Sequence, residues 1–164
     1  MILGMSLPAF TILHVVISLI GIAAGAVVVF GMFSSNRMPG WTAVFLATTI
    51  LTSVTGFLFP FTKLLPSHIV GIISLVILGI ALLALYVYGA TGPWRWIYVA
   101  SAIAALYLNV FVAVVQAFQK FPSLKELAPM QTELPFVATQ GIVLVVFIAL
   151  FVGAVRAFRP PPSR

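Results

Sequence analysis

Five apolar runs, residues 9–33, 41–61, 67–89, 95–119 and 135–158, occupy most of this chain. Each is 21–25 residues long, and the only charged side chains within them, Arg95 and Arg156, stand at the edges. A helix rises about 1.5 Å per residue and the hydrocarbon core of a bilayer is about 30 Å thick, so about 20 apolar residues make one crossing. Lipid offers backbone groups no partner, and an isolated apolar run satisfies them internally only as a helix. The sequence therefore predicts an all-α integral membrane protein: a bundle of five transmembrane helices with short loops, residues 1–164 forming one unit and 159–164 a Pro-rich tail.

The breaks between runs carry residues that stop helices. Ser34-Ser35-Asn36-Arg37-Met38-Pro39-Gly40 ends the first run, Pro60 the second and Gly89 to Pro93 the third, while Pro66-Ser67 and Pro135 suit helix starts. Residues 1–8 hold no Lys or Arg, and the first run exceeds the 7–15 residues of a signal-peptide core, so it reads as a span. The longest connection, 120–134, contains Pro122 and Pro129 and is expected to be a short interfacial or ordered loop.

Only 6% of the residues are charged and 63% are hydrophobic, whereas soluble domains carry roughly 25% charged residues. A water-soluble globule is excluded. Eight basic residues against two glutamates give a net charge of +6, but they are scattered over the flanks of the spans and form no nucleic-acid patch. With five spans, Arg37, Arg95, Arg156, Arg159 and Arg164 fall on one side and Lys63, Lys120 and Lys125 on the other, which predicts N-out and C-in. Trp41, Trp94, Trp96, Tyr86, Tyr88 and Tyr98 cluster at the Arg-rich ends as an expected aromatic belt. The composition is that of small multi-span bacterial membrane proteins, so an inner (plasma) membrane is the expected location. Having no cysteine, the chain has no disulfide, thiolate ligand or cysteine nucleophile.

No acidic or basic side chain lies near the middle of a span, which argues against an ion-coupled pump or carrier. The polar residues that remain fall on faces. His14, Ser18, Gly21 and Gly25 share one stripe of the first span, with Gly21 and Gly25 forming a GxxxG suited to close helix packing. Thr48, Thr52 and Thr55 line one face of the second span beside Thr49, Ser53 and Gly56, and such hydroxyls commonly bond back to their own helix. Ser18, Gly21, Gly25, Thr48, Thr52 and Gly71 are thus the expected packing residues. His68, near the start of the third span, is expected to reach water at the interface. Asn109 is the deepest amide and needs a partner from a neighbouring helix, water or a ligand.

His14, His68, Gln116 and Gln140 all belong to the half of the bilayer nearer the lysines. With Asn109 they predict a polar mouth at the outer face, opposite a closed end lined by Ala, Gly, Val, Leu and aromatics. Two histidines and two loop glutamates supply no HExxH, paired buried aspartate or Ser/His/Asp set, so no catalytic or metal site is expected. The expected function is non-catalytic: binding a small amphipathic ligand through His14, Asn109, Gln116, Gln140 and His68, or serving a larger membrane complex, with the lipid bilayer as surroundings and no nucleic acid. No cofactor is required. The alternative is a redox module in which His14 and His68 ligate haem b or hydrogen-bond a quinone.

Overall fold

The computed structural model describes residues 1–60 and 66–160. Among the described residues there are six helices in order: α1 Leu7–Phe33, α2 Pro39–Gly56, α3 Pro66–Leu82, α4 Pro93–Lys120, α5 Pro122–Leu127 and α6 Leu134–Ala157. A π-helical turn, Leu83–Val87, extends α3. Among the described residues there is no strand, only an isolated bridge between Ile2 and Met5. Four helical segments, Leu7–Phe33, Pro66–Val87, Pro93–Lys120 and Leu134–Ala157, are long and apolar enough to cross a bilayer, so the chain is a membrane protein. Five apolar spans were expected from the sequence. The remaining long helix, α2, is less apolar because five threonines and Ser53 share its 18 residues.

Helix ends follow the breaker residues with local chemistry. Ser6 caps α1, its Oγ accepting from the Ala9 N–H at 3.4 Å. Pro8, Pro39, Pro93 and Pro135 each stand in a first turn, where a missing N–H costs nothing. Gly92, just before Pro93, has φ +51° and ψ −129°, a region that only glycine enters cheaply. α2 stops at Gly56, earlier than the run to residue 61 implied. Phe57 and Leu58 close a tight turn back onto Val54 and Thr55, and Pro60 disfavours helix at Phe59. The expected connection at 120–134 contains the short helix α5, which carries Lys125 and Glu126 on its exposed surface.

α1, α2, α3 and α4 close a four-helix ring in which each contacts the next and α4 returns to α1. α2 lies antiparallel on α1: His14 meets Thr55, Gly25 meets Phe45 and Gly31 meets Met38. α4 is also antiparallel to α1, with Ser18 opposite Asn109 and Gly25 against Leu106. α6 lies outside the ring in the groove between α1 and α4, parallel to α1, with Gly153 against Phe33 and Ala157 against Ser35. Ala154 is its one buried residue.

The tight apolar core sits in the half of the bundle toward the arginines. It is built from Ala24, Val28, Met32, Phe45, Leu78, Ala81, Tyr98, Val99, Ala102 and their neighbours. That end is tied by hydrogen bonds. The Arg95 guanidinium donates to the carbonyls of Val155 (2.8 Å) and Phe158 (2.7 Å), Ser35 Oγ donates to Ala157 O at 2.7 Å, and Arg37 donates to Gly89 O at 2.8 Å. A cation at the last carbonyls of α6 also complements its macrodipole. Trp41, Trp96, Tyr86 and Tyr88 are exposed at this end, and Tyr88 stacks on Trp94 at 3.8 Å. Tyr98, expected in the same belt, is instead 1% exposed in the core beside Phe158. It sits one turn inside α4, on the face turned toward the ring. Of the orientation markers, Lys63 and Arg164 lie outside the described residues, as do tail residues 161–164 and the last expected residue of the second run, Phe61.

Candidate functional site

The polar stripe of α1 faces α2 and α4. Toward its N-terminal end His14 Nδ1 lies 2.8 Å from Thr55 Oγ1. Thr55 has one hydroxyl hydrogen, which it donates to Leu51 O at 2.7 Å. With that hydrogen on Leu51 O, the contact is made by the tautomer in which Nδ1–H donates to Oγ1, and Nε2 then keeps a lone pair. A turn deeper, Ser18 Oγ donates to Asn109 Oδ1 at 3.0 Å, so the deepest amide finds its partner on a neighbouring helix. Below them Gly21 and Gly25 are buried, Gly21 beneath Thr48, Thr49 and Asn109, and Gly25 against Phe45 and Leu106. Thr48 and Thr52 bond back to Val44 O and Thr48 O on their own helix. On the other side of α2, Gly71 sits against Phe57, and Ser53 reaches Ser74 at 3.3 Å.

The turn after α2 separates the two histidines. Phe59 packs edge-on against His14 (5.2 Å) and against Phe10 (5.0 Å), while Phe57 lies on His68 (5.6 Å). α1 and α3 both pack on α2 and have no substantial contact with each other, so the end of α2 stands between the rings. His68, expected to reach water, is only 4% exposed because the early end of α2 lays Phe57 across the first turn of α3. The two amides nearest the Lys end also diverge. Gln140 Nε2 donates to Phe111 O at 3.2 Å, and its Oε1 is buried without a partner. Phe111 lies two residues beyond Asn109, on the opposite side of α4. Gln116 is exposed. Asn109 and Ser18 are thus brought together, as are His14 and Thr55, whereas His68, Gln116 and Gln140 each stand in separate surroundings.

A cavity of about 110 Å³ opens between α1, α4 and α6. Its walls are wholly apolar: Ile22, Ala26, Val29 and Phe30 of α1, Leu106 and Val110 of α4, Phe147 and Leu150 of α6. Gln140 lies on the same side of α6 as Phe147, seven residues or two turns toward the Lys end. Sequence reasoning singled out Gln140 but not this seam, because no periodicity tells which two helices α6 will straddle. It also read Arg95 as a marker of topology alone, and nothing local in the sequence pairs it with the carbonyls of α6. Compared with protein-family models, curated proteins and solved structures, the chain gives no match.

Proposed function

We propose that this chain is a non-catalytic membrane protein that crosses the bilayer five times, N-terminus out and C-terminus in. It holds a small amphipathic molecule in the seam between α6 and the ring. The helix directions support the count. If α1 and α4 both cross and run antiparallel, and the five residues 88–92 return α3 into α4, then α3 runs parallel to α1 and the intervening chain must cross back. α2 is that chain, about 27 Å long and laid along α1 from Thr55 to Met38. The arginine excess at the opposite end supports the direction. Helical spans with short loops suit an inner (plasma) membrane.

The observation that carries the binding reading is Gln140 Oε1, buried and unpartnered on the helix that also walls the apolar cavity. Since Nε2 is spent on Phe111 O, the remaining atom only accepts, and the ligand's polar end must be a donor such as a hydroxyl or a protonated carboxyl. Its apolar part rests against Phe147, Leu150 and Leu106, in the way of ligand sites that pair an apolar wall with a few polar anchors. Native mass spectrometry of gently purified protein tests this reading. A retained lipid-sized mass that Gln140→Leu and Leu150→Trp both discharge supports it, a retained protein makes the chain an accessory subunit, and a bare chain refutes it. A second reading, a redox module on His14, draws on the Nε2 lone pair that Thr55 leaves available. Haem supplied during expression would then give a Soret band that His14→Ala removes.

A further inference from the structure

The interior of the ring holds a second site that is independent of the seam. Two of its side chains carry polar atoms buried without any partner: Thr49 Oγ1, in a residue 1% exposed, and Asn109 Nδ2, in a residue 7% exposed. An orphaned amide or hydroxyl in an apolar interior is costly, and native proteins rarely leave two side by side. Both converge on one place. An ideal Cβ on Gly21 would lie 3.2 Å from Thr49 Oγ1, 3.2 Å from Asn109 Nδ2 and 3.1 Å from Thr48 Oγ1. The two orphans therefore lie no more than 6.4 Å apart, beside the same bare Cα and next to the Thr48 hydroxyl.

We propose that a single structural water occupies this site above the bare Cα of Gly21, joining Asn109 of α4 to Thr49 and Thr48 of α2 at the middle of the bundle. The donor inventory balances. Ser18 donates to Asn109 Oδ1, which turns the amide nitrogen toward the site, where it donates to the water. Thr49 gives its otherwise unused hydroxyl hydrogen. Thr48 spends its own hydrogen on Val44 O and keeps a lone pair, to which the water donates. Three protein partners is the usual number for a buried water. Were the amide turned over, its orphan would be a carbonyl oxygen, which water satisfies equally well. Gly21 then has a purpose distinct from that of Gly25: one leaves room for a polar guest, the other for the phenyl ring of Phe45.

Thr49→Val in the full-length protein separates a wet site from a dry one by the sign of the effect. Valine keeps the shape and removes only the hydroxyl. In a dry interior it discards an unsatisfied group, and the unfolding equilibrium constant in bicelles stays level or falls. If the hydroxyl bonds a water, the constant rises about 3–10-fold, the usual worth of one buried hydrogen bond. A protein at least as stable as wild type overturns the proposal. A second measurement needs no variant: water-edited solid-state NMR of the unaltered protein should transfer magnetisation from water to the Asn109 side-chain amide. Transfer to exposed Gln116 with none to Asn109 also overturns it.

Discussion

Gly25→Ala tests the approach of α1 to both α2 and α4. A methyl added there would fall 2.7 Å from Leu106 Cδ1 and 2.8 and 2.9 Å from two carbons of the Phe45 ring. Carbon atoms rest at about 3.5–4.0 Å, so every contact is at least about 0.6 Å too short. Leu106 walls the cavity beside α6 and can turn a methyl toward it, but Phe45 is fully buried and closed in. α1 must therefore move off α2, an overpacking strain of about 1–3 kcal/mol. Alanine recovers about 1 kcal/mol through its better helix propensity, which leaves a net loss of up to about 2 kcal/mol and a deficit of about 1–3 kcal/mol against alanine at an uncrowded glycine. The comparison is internal, because a Cβ at Gly79 or Gly141 would meet no atom within 4 Å. Alanine at those positions should be neutral or mildly stabilising. Unfolding in bicelles, followed by helical circular dichroism against added denaturing detergent, ranks the three. Gly25→Ala matching Gly141→Ala in stability would refute the claim that this glycine sets the spacing of α1, α2 and α4.

Single cysteines give a clean topology experiment because the chain has none of its own. Asn36→Cys and Thr91→Cys should resist an impermeant maleimide in intact cells while Ser123→Cys reacts, and Asn36 and Thr91 reporting opposite sides would mean that α2 does not cross. A double-mutant cycle of His14→Phe with Thr55→Val should yield a coupling of about 0.6–1.7 kcal/mol, typical of hydrogen bonds between membrane helices, and additive effects would show that the 2.8 Å contact is not formed. Arg95→Gln should speed amide exchange at the C-terminal turn of α6, around Phe158, because two backbone carbonyls lose their charged donor; unchanged exchange there would remove Arg95 from that cap. At the other end of α6, partial desolvation raises the Glu133 carboxyl but the backbone N–H groups of Glu133, Met130, Thr132 and Gln131 outweigh it and hold the group below its ordinary value. The contribution of this turn is thus fully present above the unfolded carboxylate range and fades as pH falls through the lowered folded value. Protection factors at Met130 and Thr132, taken against the intrinsic exchange rate at each pH, should fall on acidification, and Glu133→Gln should abolish that dependence.

How far the sequence alone reaches is visible residue by residue. Helix positions were legible because lipid imposes a length and a composition, and because Pro39, Pro93 and Pro135 punctuate the chain where helices begin. The shared face of His14, Ser18, Gly21 and Gly25 follows from helical periodicity, and the structure buries both glycines against α2 and α4. What periodicity cannot supply is the partner of each face. In a membrane nearly every surface of a helix is apolar, so hydropathy does not distinguish the side that meets protein from the side that meets lipid. Only the tertiary structure decided that Asn109 meets Ser18, that Gln140 turns to the far side of α4, and that two phenylalanines of one turn hold His14 and His68 apart. It also decided that Tyr98 belongs to the core and that α6 rests outside the ring. Helix length and polar faces are properties of one helix in its solvent. Convergence of side chains depends on helix rotation and neighbour order, which packing fixes through shape at Gly25, Phe45 and Leu106.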